Sequence, residues 1–357
     1  MKIIWKLNFL TCCLIFIGNL GLAQTVSETF KQTFAYQQGE QIDIRNIYGK
    51  IKINHWEKDS VSVVVNATVK GKDKEAAEKN YSRVKIELKK DGKIISGITE
   101  MEGSMVKNLI TSGDDFDIDY ELFLPTTSDL SVTLRKGKFE TEKLSCKAKL
   151  NLTDSELTIE EITENVSFDL NNATVKIEKL GYAFFALSSS TVTVDKADKI
   201  DINSTNSSST VELGEVLELY LDSKNDKIGV RKLNKISGTF SFSKVNILDL
   251  SEQADLNMTN GSFLAENIQK EFTNIKLVGK STDIDLSFAK GASLQADIKG
   301  KSEKLTIPES GYLSVGYADK KKKMMKITGY LGENEAAQAK LDITEPSGSV
   351  TIKLKER

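Results

Sequence analysis

Three carboxylates, Asp115, Asp117 and Asp119, alternate with Phe116, Ile118 and Tyr120. A period of two puts all three on one face of a strand, where they could offer oxygen ligands to calcium. The simpler expectation is a solvated strand face over a buried apolar one, because side chains two apart stand roughly 6 to 7 Å from each other and tolerate like charge in water. Trp56 could be a stacking platform for a sugar ring; the favoured expectation is an aromatic that covers the end of a core. Lys320, Lys321, Lys322 and Lys323 could meet anionic lipid or polysaccharide, although four like charges in a loop are usually just solvated. His55 is the only histidine, so a catalytic triad has one available base and a histidine-rich metal centre is excluded. Beside Trp56, at the entry to a turn, it is expected at the surface. Cys146, between Leu144 and Ala148, is expected to be a small buried thiol. Gly279-Lys280-Ser281 has the ending of a phosphate-binding loop, but Asn274 stands where the first glycine belongs and no helix follows, so that chemistry is rejected.

Composition narrows the field further. The chain has 357 residues, with 49 Lys and Arg against 51 Asp and Glu, and lacks the basic surplus that neutralising nucleic-acid phosphates requires. Lys2 and Lys6 precede an apolar run from Leu7 to Leu22, with Gly21 and Ala23 as small residues before Gln24. These features predict a secretory signal peptide over residues 1–23. The chain that remains would hold one thiol, Cys146, so export would bring no internal disulfide. No second apolar run reaches the length of a membrane span.

The elements that must position these side chains are almost all strands. Alternation recurs at Ile42/Ile44, Ile51/Ile53, Val61/Val63/Val65 and Val84/Ile86/Leu88. Helical spacing is confined to Lys72–Arg83, with a second short candidate near Glu333–Lys340. From about residue 145 a longer period appears. Leu157/Ile159, Val175/Ile177, Val192/Val194, Val211/Leu213, Ile228/Val230, Val245/Ile247, Phe263/Ala265 and Ile284/Leu286 advance by 17 to 21 residues. A second column of pairs runs Phe168/Leu170, Phe185/Leu187, Ile202/Ser204, Leu219/Leu221, Phe240/Phe242, Leu256/Met258 and Ile275/Leu277. A third column holds Ile162, Leu180, Ala197, Val216, Leu233, Leu250 and Ile268. Polar turns such as Ser188-Ser189-Ser190 and Ser223 to Asp226 separate the pairs.

A unit of about 18 residues cannot bury its apolar face alone, whereas a stack of such units shares one core. The pattern predicts an all-β fold, a parallel β-helix or β-roll solenoid of about 18-residue coils. Right-handed winding is favoured, since the unequal spacing of apolar positions does not fit a hexapeptide helix. Capping strands are expected at both ends, with one short helix. The expected organisation is signal peptide 1–23, an N-terminal β-rich part 24–130, repeat coils 131–300 and closing strands 301–357, the whole forming one continuous solenoid.

The segment from Ile42 to Val63, with Asn46, Gly49, Ile51, Ile53 and Trp56 in an apolar pair, Asn, two residues, Gly, apolar pair and Trp order, resembles the start of the putative-adhesin β-strand-repeat family, the DUF4097-like proteins. Tyr120 to Pro125 and Leu130 to Gly137 are also similar to it. The resemblance implies an exported β-solenoid and suggests adhesion, and it carries no catalytic residue. In the repeats the Asn-x-x-Gly turn is mostly replaced by Ser, Thr and Asn.

The expected function is therefore non-enzymatic, with no cofactor and no metal: an envelope or surface protein whose polar faces contact a glycan or another surface protein. Trp56 and Lys320, Lys321, Lys322 and Lys323 are its candidate contacts. A periplasmic structural or sensory component is the alternative. A β-helix enzyme acting on acidic polysaccharide is third, because the Asp residues of the coils, among them Asp201, Asp222 and Asp226, read as turn or outward positions with no evident acid/base pair.

Overall fold

The computed structural model describes residues 24–101, 115–204 and 208–355. The expected leader lies outside them, as do residues 205–207 of one polar turn. The chain is a β-solenoid with coils of about 18 residues, and among the described residues it has a single α-helix. It divides into two compact units, the first ending at Ile159 and the second beginning at Glu160.

In the first unit, β1 (Gln24–Ala35), β2 (Gln41–His55), β3 (Ser60–Gly71), α1 (Lys74–Tyr81), β4 (Val84–Asp91), β5 (Ile94–Met101), β6 (Asp115–Leu124), β7 (Asp129–Leu144) and β8 (Lys147–Thr153) follow in order. β2 runs parallel to β7, Gln41 opposite Asp129, and β7 runs parallel to β8, Asp129 opposite Lys147. Coil stacking thus starts near residue 41, a hundred residues before the repeat becomes visible in the sequence. The first coil is interrupted by an excursion: β3 pairs antiparallel with β1 and β6, and β4 with β5. β2 bends at a corner where Tyr48 and Gly49 both take positive φ (66° and 80°). The buried Asn46 amide fixes that corner by donating from Nδ2 to the Tyr48 and Ile118 carbonyls at 2.8 and 2.7 Å. A side chain at residue 49 would enter the backbone of Ile118, so the Asn-x-x-Gly motif is a steric requirement. Helix α1 falls within the expected stretch. Asp73 caps it by accepting from the Ala76 amide at 2.8 Å.

β9 (Glu156–Ile162) crosses the boundary between the units. In the second, β10 (Val166–Asn171), β11 (Thr174–Ser188), β12 (Thr191–Ser204), β13 (Thr210–Lys224), β14 (Lys227–Ser241) and β15 (Lys244–Thr259) stack in parallel. Buried positions step 175, 177, 180, 183, 185, 187, 190 along a coil. Two-residue steps are strand alternation, and each three-residue step resets it at a corner, so each coil has three walls. Aligned side chains repeat at the strand spacing: the Phe168 and Phe185 rings stack at 4.7 Å with 6° between planes.

The first and third apolar columns lie in register as the spacing predicts, Val175 to Val192 to Val211 and Leu180 to Ala197 to Val216. The second column needs correction. The pairing places Ile202 beside Leu221, then Gly238, then Leu256. Leu219/Leu221 and Ile275/Leu277 therefore slip by two residues, and Phe240/Phe242 slips by two the other way. Phe240 fills the inward place after Gly238, while Phe242 sits in the turn with φ 54° and is exposed.

The polar turns are only half outward. A residue of positive φ (Asn172, Ser189, Asn225, Phe242, Ser281) is followed by one whose side chain is buried, and Asn260 is followed by Gly261. Ser190, Ser209, Asp226, Ser243 and Thr282 are all buried; Asp226 is in a turn, as expected, but its side chain faces inward. The side chains of the first four hydrogen-bond from coil to coil. The Ala173 amide donates to Ser190 Oγ (3.1 Å), the Ser190 amide to Ser209 Oγ (3.1 Å), the Ser209 amide to Asp226 Oδ1 (2.9 Å) and the Asp226 amide to Ser243 Oγ (3.1 Å). The spine occupies backbone donors that the tight turn leaves without a strand partner.

The remaining elements are β16 (Ser262–Ile268), β17 (Asn274–Lys280), β18 (Asp283–Phe288), β19 (Leu294–Lys301), β20 (Leu305–Thr306), β21 (Tyr312–Asp319), β22 (Met324–Leu331), β23 (Lys340–Glu345) and β24 (Val350–Leu354). The last two enter between earlier strands: β23 pairs with both β17 and β19, and β24 with both β18 and β20. Buried Glu345 locks this coil by accepting the amides of Ser281 (3.0 Å), Thr282 (3.1 Å), Ser347 (2.8 Å) and Gly348 (2.6 Å). Gly279, the glycine of the rejected phosphate-loop ending, leaves room for that carboxylate, whose Oε2 lies 2.0 Å from where a Cβ would stand. The second helical candidate is absent: residues 333–339 hold a turn and irregular backbone and Lys340 begins β23, with the Glu333 and Asn334 amides donating to Ser293 Oγ at 3.1 Å each.

Candidate functional site

Outward residues on one wall of the second unit line up as two neighbouring columns. One reads Tyr182, Lys199, Glu218, Lys235, Gln253, Asn274, and the other Phe184, Asp201, Tyr220, Ser237, Asp255, Lys276. Their register is set by the inward residues of the same strands, Leu219, Ile236 and Ala254, all buried. A groove of about 520 Å³ runs across this wall, lined by Lys199, Asp201, Glu218, Tyr220, Lys235, Ser237, Gln253 and Asp255.

Several of these groups are already held in place. Tyr182 donates from its hydroxyl to Asp201 Oδ2 at 2.8 Å, and Lys199 Nζ lies 5.5 Å from the Tyr182 ring centre and 3.7 Å from Asp201 Oδ1. The hydrogen bond to Asp201, and then burial, raise the Tyr182 phenol above its ordinary pKa, so it stays a donor at neutral pH. Lys235 pairs with Glu252 at 3.3 Å and Asp255 with Lys276 at 3.8 Å. Tyr220, by contrast, leaves 46% of its surface open. The lining therefore combines one available aromatic face, two ammonium donors, three carboxylate acceptors and neutral hydroxyl and amide groups. Such a set suits a polyhydroxylated, uncharged ligand better than a polyanion.

A second groove, of about 560 Å³, lies in the first unit between Lys50, Asp117, Asp119, Lys136, Lys138, Asp154 and Glu156. It contains two of the three alternating aspartates. As the simpler expectation has it, Phe116, Ile118 and Tyr120 are buried behind them. Asp115 pairs with Lys70 at 3.0 Å, and Asp119 accepts the Lys50 amide at 2.7 Å. Asp117 lies between these two carboxylates. Partial burial first, then the negative charges of Asp119 and Asp115, push its carboxyl above the usual range, with Lys70 opposing. Among the described residues no three carboxylate, imidazole or thiol groups gather closely enough to share a metal ion.

Trp56 lies in the first unit and the lysine run in the second. Trp56 is half-buried; its indole N–H donates to the Ser60 carbonyl at 2.7 Å, closing the turn into β3. Its ring lies 5.5 Å from that of Phe123, and Lys58 Nζ stands 4.7 Å from its centre. Lys320 to Lys323 form the exposed turn between β21 and β22. There Asp319 accepts the amides of Lys321 and Lys322 at 2.9 and 3.2 Å, and Lys320 Nζ stands 5.9 Å from the Tyr317 ring. The expectation of a surface histidine is corrected. His55 is half-buried at the end of β2, with Nε2 accepting the Ser145 amide at 3.0 Å and Nδ1 facing the Leu124 carbonyl at 3.3 Å. Cys146 is buried as expected.

Tyr182, Lys199, Tyr220 and Lys235 do not stand out as a set in the sequence. Counting outward positions at the coil period would have aligned them, once the second column was placed in its true register.

No family model matches the chain, and no curated protein matches it. Among solved structures it is similar to a putative adhesin from Parabacteroides distasonis, at 14% identity over 73% of this chain and 93% of that one, with a TM-score of 0.36. It is similar to a putative lipid binding protein from the same organism at 13% identity, with the same coverage and a TM-score of 0.32. A putative cell adhesion protein from Clostridium sporogenes matches at 10% identity over 92% of this chain and 100% of that one, with a TM-score of 0.18. Likeness of this degree carries no functional argument, and the function has to be argued from the groove.

Proposed function

We propose that the protein is an exported, non-enzymatic binding protein of the cell envelope or surface, adhesin-like in acting through a solenoid wall, and that the groove around Tyr220 takes a neutral glycan. The observation that carries this is the open Tyr220 ring, set among both donors and acceptors on a wall whose register is fixed from below. Aromatic faces take the apolar side of a sugar ring while flanking polar groups take its hydroxyls. Export rests on the leader pattern of Lys2, Lys6, the apolar run and Ala23. Kinship with the DUF4097-like proteins rests on Asn46 and Gly49, which build the corner at Tyr48.

The test is calorimetric titration of the mature chain with neutral oligosaccharides chosen from an array screen. Tyr220→Ala should weaken binding at least about tenfold while leaving the circular dichroism unchanged. Unaltered binding by the variant would remove Tyr220 from the site, and release of new reducing ends would make the protein an enzyme. Protease shaving of intact cells separates the surface from the periplasm.

A further inference from the structure

β21 ends a sheet. It pairs with β22, which pairs with β19, and among the described residues no strand covers its other edge. The register puts Leu313, Val315 and Tyr317 opposite Gly329, Ile327 and Met325, and Ile327 opposite Ile298. These residues share one face, and its exposure rises outward: Ile298 0%, Ile327 7%, Val315 58%, Tyr317 61%. The apolar wall of the core runs past the strands that cover it. On the opposite face Tyr312 is 67% exposed. An apolar edge with unpaired backbone groups is a template for one more strand.

We propose that the added strand is β21 of a second copy, paired antiparallel about a two-fold axis. Two-fold pairing is self-complementary and uses up both edges, so it closes at the dimer. Only registers that keep odd residues opposite odd ones match the apolar faces. Among these, centring the axis on Val315 sets Val315 against Val315 of the second copy and Leu313 against its Tyr317. Shifting the axis to Gly316 puts Leu313 against Asp319, and shifting it to Ser314 puts Tyr317 against Gly311. The lysine turns are compatible with this arrangement. Each begins five residues from the axis, so the two stand roughly 30 Å apart at 3.3 Å per residue, beyond the roughly 8 Å screening length of physiological salt.

Disulfide trapping in the mature chain tests the register, because the native thiol, Cys146, is buried. Val315→Cys should give a covalent dimer under mild oxidation, since directly opposed Cα atoms lie about 4.5 to 5.5 Å apart. Gly316→Cys, displaced by two residues from its own mate, should yield at least about tenfold less. Light scattering of the unaltered chain should show a mass that doubles with concentration, and Val315→Lys should hold it at the monomer. A monomer at every concentration with no Val315→Cys dimer overturns the proposal. So does a dimer that persists in Val315→Lys, which places the interface elsewhere. Binding of the monomer to phosphatidylserine vesicles, lost when Lys320 to Lys323 are neutralised, also overturns it and assigns the edge to a lipid surface.

Discussion

Replacing Asp226 tests whether the buried spine stabilises the coils or merely fills them. The carboxylate accepts the Ser209 amide at 2.9 Å and the Ser223 hydroxyl at 2.8 Å, and it also accepts the Ser204 hydroxyl. In Asp226→Ala these donors lose their charged acceptor in a region without solvent. A buried donor left unsatisfied costs about 1 to 3 kcal/mol. Ser223 keeps its contact with Ser243 Oγ at 3.1 Å, so the main losses fall on the Ser209 amide and the Ser204 hydroxyl, together about 3 to 4 kcal/mol. Asp226→Ser would instead restore the pattern of Ser190 and Ser243, whose hydroxyls donate to the carbonyls of Ser188 and Ser241 at 2.9 and 3.0 Å. It would also remove a buried charge, and the expected loss is about 1 kcal/mol or less. Urea unfolding followed by far-UV circular dichroism measures both. With an m-value of roughly 3 to 4 kcal/mol/M, the alanine variant should unfold about 1 M earlier. Amide exchange should accelerate first at residues 209 and 226. An alanine variant within about 1 kcal/mol of the native chain, or a serine variant as damaged as the alanine one, would refute the account.

Two further expectations concern pH and salt. Burial, ahead of the opposing Leu124 hydrogen bond, holds His55 below its ordinary pKa of 6.5. Above that value both folded and unfolded states carry a neutral ring and stability is unaffected. As pH falls through 6.5 the unfolded chain takes the proton first, and stability declines until the lower folded pKa is passed. A melting-temperature series from about pH 7.5 to 5 should show this decline and His55→Gln should flatten it; equal slopes would refute the assignment. Asp117 has the opposite sign, because its folded pKa is raised and stability grows as pH falls toward it. Asp117→Asn should stabilise the chain at neutral pH by a few tenths, up to about 0.5 kcal/mol, and the gain should shrink in about 1 M salt. A destabilised variant, or a gain indifferent to salt, would count against like-charge repulsion.

The parts of the fold legible in the sequence are those where the inward demand is strict. Val175/Ile177 and Leu180 recur because those walls admit only apolar residues, from Ala265 to Phe263. The other wall tolerates Gly238 next to Phe240 and Ser204 next to Ile202, so its column slips when read by hydrophobicity. The spine was invisible because buried Ser and exposed Ser are the same letter, although a small or polar residue recurs two places before each apolar pair. The first coil was hidden by the excursion through β3 to β6, which sets Gln41 and its mate Asp129 far apart in the chain. The groove was less legible than the fold, since outward positions answer to no packing rule and Tyr220 stands out only when its neighbours on adjacent coils are known.

The insertion of β23 and β24 bears on how the molecule is made. A solenoid can grow by adding each new coil to the last, so that the order of synthesis is also the order of assembly. Here β19 precedes β23 in the chain but lies beyond it in the stack, and β20 stands likewise to β24. When β19 leaves the ribosome, its neighbour does not yet exist and the edge of β17 is vacant. The final segment must then enter a slot whose two sides are already present, with Glu345 reaching the Ser281 and Thr282 amides only on arrival. Maturation of this end is therefore a gap-filling event that follows elongation, and premature docking of β19 on β17 is the error that the chain has to avoid.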